Sequence, residues 1–401
     1  MPATVLVRQN GTGDYTTLTA GIAAVDTAGI VYVGSGTYTE EIDLTTYGGG
    51  FTKVVHIIAE SGTTPVWDGT SATNPAFAMT AVRSSSGSGI TPRFEGLTFN
   101  NWTVANAVFN CNTRMPINVS GCFFNSCGQI TKNLTGTAGE PAYFRKNFYK
   151  SCGLAIHANF SCYIYAFNNI YIGNTFATVL AANSFIYNNT LLTAISDSTI
   201  PIQADVAINN IIVNQPGKSA TSRPFNCVST GSYNLVSGTW GNVGNAPFLT
   251  GNISGSGITP AWTNSASYDF TIGSTSSAIN AGTYLSIVTN DYSGTARVSG
   301  AYDIGAFEYL LANAWTGFTG SISGAISSGF INNYYINLSS QWSRRSGVRS
   351  DQNGSTVVDQ VPFGIGQPGP VSIRGRDTAY TLVPSQNLAE SGSLKPNPLG
   401  Y

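Results

Sequence analysis

The feature that most constrains the fold of this chain is a short sequence pattern that recurs between residues 94 and 213 and predicts a repeated backbone corner. Six short segments share a Gly or Asn in the third place, followed by a run of apolar and aromatic residues. The third-place residues are 25, 26, 22, 20 and 21 positions apart and are Gly96, Gly121, Asn147, Asn169, Asn189 and Asn210. Gly and Asn most easily adopt the left-handed backbone conformation that a sharp corner needs. The pattern predicts a solenoid in which each coil turns this corner and then forms a strand.

The alignment of the corners has one ambiguity. Residues 124–128 (FNSCG) also match residues 149–153 (YKSCG), at a spacing that shifts Asn147 by one place. The corner still recurs in either alignment, but the sequence does not decide whether Lys146 or Asn147 is the corner residue of that coil.

The strands of such a chain must stack. A single coil has no second layer against which to bury its apolar residues, so successive coils must lie on one another. Asn side chains in a stack can also hydrogen-bond to their copies one coil above and below. The sequence therefore predicts an all-β fold, a right-handed parallel β-helix. The alternative is a β-sandwich, which would favour hairpin turns between antiparallel strands.

Three regions are expected along the chain. Residues 1–29 form an N-terminal cap, in which Leu18, Ile22 and Val25 have helical spacing. Residues 30–310 form the β-helix. Residues 311–401 differ in composition and contain strand-like runs, so we expect an extended or β module for attachment or oligomerisation. A disordered tail is the alternative for this last region.

Composition limits the function classes. Only 9% of the 401 residues are charged, against about 25% in an average domain. The net charge is −1 and no basic run exceeds Arg344-Arg345, so nucleic-acid binding is not expected. The sequence contains no run of eighteen apolar residues, so no membrane span is predicted. The start does not resemble a signal peptide, which favours synthesis in a cytoplasm.

Metal and cofactor chemistry is not indicated. The six cysteines form no CxxC pair, and the two histidines, His56 and His157, lack metal-ligand spacing. We expect the cysteines to be buried thiols. A disulfide is the less favoured alternative, because a cytoplasmic origin disfavours it.

Two stretches resemble a known family. Residues 13–18 (GDYTTL) and 31–38 (VYVGSGTY) resemble the opening of pectin-lyase-like β-helix proteins. Residues 291–309 (DYSGTARVSGAYDIGAFEY) resemble the "DxxGxxRxxGxxDIGAxEY" ending of right-handed parallel β-helix repeat proteins. The resemblance implies a helix that caps the first coil and a motif that closes the array. It implies little about activity, because the superfamily includes lyases, hydrolases, esterases, adhesins and inert virion spikes.

The closing motif contains four charged residues, Asp291, Arg297, Asp303 and Glu308. Buried charges must be paired. We therefore expect these residues to form a structural cluster that fastens the last coil, with no catalytic role.

Candidate catalytic residues are scarce. A glycosidase needs two carboxyl groups at a defined separation. Asp197 and Asp205 could share a face, given the 20-residue repeat, but turn positions explain them better. The sequence therefore weighs against an enzyme, and the alternative is a polysaccharide lyase or glycoside hydrolase of the pectin-lyase-like superfamily.

The function that we expect is structural. The combination of features is typical of a bacteriophage virion protein, either a capsid decoration, a spike or a tail spike. Such a protein is expected to be a homotrimer, to bind other virion proteins through residues 311–401 and to contact host surface glycans. A glycan-binding adhesin, secreted or on the cell surface, is a further alternative.

Overall fold

The computed structural model shows a parallel β-solenoid of about 8 turns, with 4% of its residues helical. It describes residues 2–47, 53–79, 91–103, 107–111, 116–132, 134, 141–157, 163–173, 176–179, 183–194, 200–220, 223–241, 251–255, 257–298 and 300–309. The module predicted for residues 311–401 lies outside the described residues. The right-handed turn of the coil stays a prediction, based on the preference of parallel crossover connections.

The coils stack their strands into three parallel sheets, called sheets A, B and C, of which sheet C includes strands from four coils. Sheet A contains Thr4–Val7, Ile30–Val33, His56–Ala59, Arg93–Glu95, Asn118–Ser120, Ala142–Arg145, Ile164–Phe167, Ser184–Tyr187, Ile202–Ile208 and Phe225–Ser232. Sheet B contains Gly36–Tyr38, Pro65–Asp68, Thr98–Asn100, Phe123–Asn125, Phe148–Lys150, Ile170–Ile172, Thr190–Thr193, Ile211–Asn214, Leu235–Ser237 and Ile253–Ser254. Sheet C contains Ile42–Asp43, Phe77–Ala78, Phe109–Asn110 and Thr131–Lys132.

Sheets C and A merge in the later coils. The strands Leu154–His157 and Phe176–Val179 follow the strands of sheet C, and they join sheet A through the first half of Ile202–Ile208. Short pairs complete the described elements, namely Ser219–Ala220 with Thr239–Trp240, and Trp262–Asn264 with Asp269–Ile272 around the 3₁₀ turn Ser265–Ser267.

The pairing excludes the β-sandwich alternative. The pairings between described strands of the three sheets are parallel, and only the ribbon formed by Trp262–Asn264 and Asp269–Ile272 is antiparallel. Because side chains alternate along a strand, one row of each sheet points inward. In sheet B that row stacks Phe99, Phe124 and Tyr149, with ring centroids 5.2 and 5.0 Å apart and planes within 7° of parallel.

The strand register settles the ambiguity at Asn147. Ser120 pairs with Arg145, so the left-handed corner residue Gly121 corresponds to Lys146 and not to Asn147. In the following coils the left-handed residues are Asn168, Asn188 and Asn209. Gly96 and Gly121 therefore share a row with these outward residues, whereas Asn147, Asn169, Asn189 and Asn210 lie one place later. The third-place alignment mixes two rows, and the slip lies at Asn147, the position the sequence left open.

The later row is an interior hydrogen-bonded ladder. Each side-chain amide accepts through Oδ1 from the backbone N–H one coil earlier, at 2.9 Å for Asn169, 2.8 Å for Asn189 and 3.0 Å for Asn210. Asn234 and Asn252 continue the same chain of bonds. The five residues from Asn147 to Asn234 are fully buried. Buried amides without such partners would be costly, so the ladder ties the coils together in one register.

A short helix spans Leu18–Ala24. At its start, Glu40 Oε1 accepts a hydrogen bond from the backbone N–H of Leu18 at 2.9 Å. At its end, the buried Lys53 Nζ donates to the carbonyl oxygen of Val25 at 2.6 Å. A carboxylate at the start and an ammonium at the end both complement the helix dipole.

Residues 257–309, called the closing segment, do not add coils to the described stack. They pack along the outside of the later coils. Phe270 and Phe307 cover the outward residues Ile170 and Ile172 of sheet B.

Candidate functional site

One outward row of sheet A crosses seven coils and changes chemistry on the way. Its members are in register on successive strands, so neighbours lie about 4.8 Å apart. All are partly exposed. This outer row consists of His56, Arg93, Asn118, Tyr143, Tyr165, Phe185 and Val206. It begins polar and charged and becomes aromatic and aliphatic.

The aromatic part of the outer row, called the aromatic platform, is a stack of three rings, Tyr143, Tyr165 and Phe185. The ring centroids of Tyr143 and Tyr165 are 5.4 Å apart and the planes differ by 15°. The centroids of Tyr165 and Phe185 are 4.8 Å apart and the planes differ by 13°. Burial raises the pKa of Tyr165, so its hydroxyl stays protonated at neutral pH and can donate or accept hydrogen bonds. Because stacked rings cover part of one another's faces, the aromatic platform presents mainly ring edges and tyrosine hydroxyl groups on a rigid sheet.

The closing segment borders the platform on one side. Its residues Leu285 and Val288 join the apolar cluster that contains Phe167 and Tyr187, which lie on the same strands as the platform. The hydroxyl of Tyr302 donates to the carbonyl oxygen of Val288 at 2.7 Å and holds this part of the segment in place. The platform is thus lined along one edge by apolar side chains from a distant part of the chain.

The corner residues of three coils attach the closing segment to the solenoid. Asn168, Asn188 and Asn209 adopt left-handed conformations that direct their side chains outward. Each side-chain amide donates to a backbone carbonyl of the closing segment, at 2.5 Å from Asn168, 3.1 Å from Asn188 and 2.7 Å from Asn209. A corner Asn therefore serves the attachment of the closing segment, while the interior Asn next to it serves the ladder.

The polar end of the outer row contains a possible proton acceptor. His56 lies beside Arg93 on the neighbouring coil, and Arg93 forms an ion pair with Glu95. Burial, and then the positive charge of Arg93, lower the pKa of His56, so its imidazole is neutral at pH 7. Neither His56 Nδ1 nor Asn118 Oδ1 has a hydrogen-bond partner among the described residues. The arrangement offers a neutral imidazole next to a guanidinium.

The carboxyl groups of sheet A are too far apart to act together. Its described strands carry only Glu95 and Asp205, which lie five strands apart in the stack. Five strand spacings amount to about 24 Å, well beyond the roughly 5–9.5 Å that separates glycosidase carboxyl groups. Asp205 Oδ1 accepts a hydrogen bond from the hydroxyl of Ser229. Asp197, its predicted companion, lies outside the described residues.

The four charged residues of the closing motif come together beside the corner Asn168, at the side of the solenoid. Arg297 forms an ion pair with Glu308, and its Nη2 donates to Asn168 Oδ1 at 3.0 Å. Asp291 Oδ2 accepts from the backbone N–H of Glu308 at 3.0 Å. Asp303 Oδ1 accepts from a backbone N–H at 2.6 Å. These contacts connect the closing segment to the flank of the middle coils through Asn168.

Burial dominates the electrostatics of this cluster. It raises the pKa of Glu308 to about 7 and also raises the pKa of Asp303. It lowers the pKa of Arg297, although the surrounding carboxylates oppose that shift. The side chain of Arg297 is fully buried and that of Glu308 is 8% exposed. The charged groups of the cluster are therefore largely desolvated and are stabilised mainly by one another and by backbone hydrogen bonds.

Within the described ranges, no group of three His, Cys, Asp or Glu side chains is placed to hold a metal ion. Cys111, Cys122, Cys127, Cys152 and Cys227 are buried thiols, and Cys162 lies outside the described residues. No helix in the described part of the chain is both long and apolar enough to cross a membrane.

The comparisons with known proteins do not identify a family. No protein-family model matches the chain, and no curated protein matches it either. The site must therefore be judged from its own geometry.

The outer row was missed by sequence reasoning, for an identifiable reason. Its members are 20 to 37 positions apart, and the spacing varies with the loops between coils. A signal was present, because each member lies one residue before the inward residue of its strand, as Tyr143 precedes Phe144 and Tyr165 precedes Ala166. Alignment on the inward residues would have revealed the row of aromatic residues.

Proposed function

We propose that this chain is a right-handed parallel β-helix of bacteriophage particles, a rigid structural protein that binds host surface glycans without cleaving them. The observation that carries the binding part is the aromatic platform of Tyr143, Tyr165 and Phe185 on the outside of sheet A. Partly exposed aromatic rings with hydroxyl groups, held by a rigid sheet and bordered by apolar side chains, offer apolar contacts and hydrogen bonds to a sugar chain. Low charge suits a neutral glycan.

The solenoid supplies the mechanical part of this role. Stacked coils with a buried Asn ladder leave few exposed strand edges, a property that favours resistance to proteases. In this proposal the helix Leu18–Ala24 covers the open end of the first coil. Residues 311–401 attach the protein to other virion proteins and hold three copies together.

Glycan binding is tested by removing one ring from the platform. Tyr165→Ala should weaken binding on a panel of neutral and acidic bacterial polysaccharides by about tenfold or more, equivalent to about 1.4 kcal/mol. The matched control is Phe123→Ala, which removes a partly exposed ring on sheet B whose centroid lies 5.3 Å from that of Phe148, with the planes tilted by 38°. Equal affinities of the two variants and the unmodified chain would show that the platform is not the glycan site.

The virion assignment has its own test. Light scattering of the full chain should give the mass of a trimer, and antibodies against the chain should label purified phage particles. A secreted or surface-bound adhesin is the competing outcome, and it would place the same antibodies on bacterial cells in the absence of particles.

A polysaccharide lyase is the second candidate, because of the neutral His56 beside Arg93. A lyase abstracts a proton next to a carboxyl group, and a neutral imidazole is a suitable base while a guanidinium stabilises the developing charge. If this candidate is right, the chain will release unsaturated sugars that absorb in the ultraviolet, and His56→Ala will abolish the release while leaving binding at the platform intact.

A further inference from the structure

Two cysteines are direct neighbours in the interior of the solenoid. Cys127 and Cys152 lie two residues beyond Asn125 and Lys150, which pair in sheet B. The backbone N–H of Gly153 donates to the carbonyl oxygen of Cys127 at 2.9 Å, so the two coils stay in register through this turn. The cysteines therefore occupy the same position on consecutive coils. The coil spacing of about 4.8 Å falls within the Cα separations that disulfides span, about 4.4–6.8 Å.

The two thiols are buried and influence each other's ionisation. Their interaction raises the pKa of Cys127 and lowers the pKa of Cys152. Both residues are at most 2% exposed. Each sulfur also lies near a carbonyl oxygen of the coil below, at 3.6 Å for Cys127 and 3.7 Å for Cys152. These contacts with the coil below help to hold both sulfurs in position.

Cys122 and Cys227 lie beside residues other than cysteine in a neighbouring coil. Cys122 lies next to Asn147, whose Oδ1 accepts from its backbone N–H at 2.9 Å. Burial raises the pKa of Cys122 to about 12, which makes its thiol a poor nucleophile. Cys227 pairs in register with Ala204. Cys122 and Cys227 therefore provide internal controls for a reaction of the pair.

We propose that Cys127 and Cys152 form a redox modification site, at which a two-electron oxidant joins the two sulfurs into one disulfide between consecutive coils. With the azo compound diamide as oxidant, the Cys152 thiolate adds to one nitrogen of the N=N bond. The Cys127 sulfur then attacks Cys152 Sγ and expels the hydrazine. The two thiol protons and two electrons end on the hydrazine, and one S–S bond has formed.

The cross-link would close a loop between neighbouring coils and restrict the unfolded chain, so it should stabilise the protein. Burial slows the reaction, because oxidant reaches the pair only when the coil opens locally. The inference is independent of glycan binding, since the pair lies inside the solenoid and the platform outside it.

The test uses the full chain, incubated with diamide a few degrees below its unfolding midpoint and then digested with chymotrypsin without reduction. Cleavage after Phe124, Tyr149 and Phe160 separates Cys122, Cys127, Cys152 and Cys162. Mass spectrometry should find the Cys127 and Cys152 peptides linked. The Tm should rise by several degrees and return to its starting value with dithiothreitol.

Two variants make the result specific. Cys122→Ser keeps the pair and should show the same rise in Tm, whereas Cys152→Ser should show none. Recovery of Cys127 and Cys152 as reduced peptides after prolonged treatment would overturn the proposal. So would linkage of Cys127 to another cysteine, or an equal rise in Tm in Cys152→Ser.

Discussion

The early and the late coils have the same backbone path but different interiors. In the early coils the interior is filled by large aromatic rings, among them Trp67, Phe94 and Phe109. In the late coils the ring column of sheet B gives way to Leu191 and Ile212, and the Asn ladder lies beside it. The first interior is stabilised by apolar area, which has no direction, and the second by hydrogen bonds, which do.

The length of the coils also differs between the two regions. The in-register residues His56 and Arg93 are 37 positions apart, whereas Tyr165 and Phe185 are 20 apart. Short loops restrict the shift of a strand along its neighbour. The hydrogen bonds of the Asn ladder require one strand register, which short coils can maintain, whereas aromatic packing accommodates coils of unequal length. Four sets of variants test this difference between the early and the late coils.

The largest effect is expected from the ladder. Asn189→Ala removes the acceptor of the Asn169 backbone N–H at 2.8 Å and the donor to the Asn210 amide oxygen at 3.0 Å. Several buried groups then lack partners, so the free energy of unfolding should fall by about 4 kcal/mol or more in denaturant titration. Asn100→Ala, an outward residue of sheet B in the early coils, is the control and should cost less than about 1 kcal/mol. Similar losses in both variants would contradict a special role for the ladder.

Aromatic packing should be costly to remove but tolerant of replacement. Phe124 is fully buried between two rings. Phe124→Ala should lower the free energy of unfolding by about 3–5 kcal/mol, because it leaves a cavity. Phe124→Leu should cost only about 1–2 kcal/mol, because the interior can repack around it. A leucine variant as unstable as the alanine variant would mean that the early coils depend on ring geometry as strictly as the late coils depend on hydrogen bonds.

The closing segment, which packs on the middle and late coils, should make stability depend on pH. The pKa of Glu308 in the folded state is about 7, above its ordinary value near 4.5. Between these values the folded chain binds more protons than the unfolded chain, so this group's stabilisation is complete below pH 4.5 and is lost as the pH rises through 7. The free energy of unfolding should fall by about 1–3 kcal/mol between pH 5 and 8 on account of this group.

Urea titrations of Glu308→Gln at several pH values should show a flatter dependence. Asp68→Asn is the control, because hydrogen bonds from Thr70 lower the pKa of Asp68 and keep it ionised throughout this range. If the Glu308 variant kept the slope of the unmodified chain, the buried ion pair would not be its source.

The smallest effect is expected at an early corner. Gly121 has φ of +61° and no atom closer than 3.9 Å to the position of an added Cβ. Gly121→Val should cost about 1–2 kcal/mol from the left-handed conformation alone. Gly121→Asn should be nearly neutral, because Asn occupies the equivalent corner of the late coils at Asn168, Asn188 and Asn209. Thermal unfolding of the two variants distinguishes these outcomes, and an asparagine variant as unstable as the valine variant would mean that the corners are not equivalent.

Much of the fold was predictable because its signals are local. The alternation of inward residues and the Gly or Asn at most corners reflect conformational preferences of single residues and strands, which apply in every coil. The identity of the charged cluster was also predictable, since four charged residues in one short motif must find partners when buried.

The candidate site was not predictable in the same way. The aromatic platform combines residues from three coils, and the apolar side chains along its edge, Leu285 and Val288, come from the closing segment. The bond from Asn168 to the closing segment joins residues 122 positions apart. No local pattern encodes a contact of that range.

The fold of stacked parallel coils thus follows from the amino-acid sequence alone. Each coil repeats the same short-range conformational preferences, and no coil can bury its apolar residues without a neighbour. Only the tertiary structure decided which Asn points inward and which outward, where the closing segment lies and which side chains share the outer row. The physical reason is that register between coils is set by hydrogen bonds and packing across loops of unequal length. Those interactions exist only once the neighbouring coil is in place.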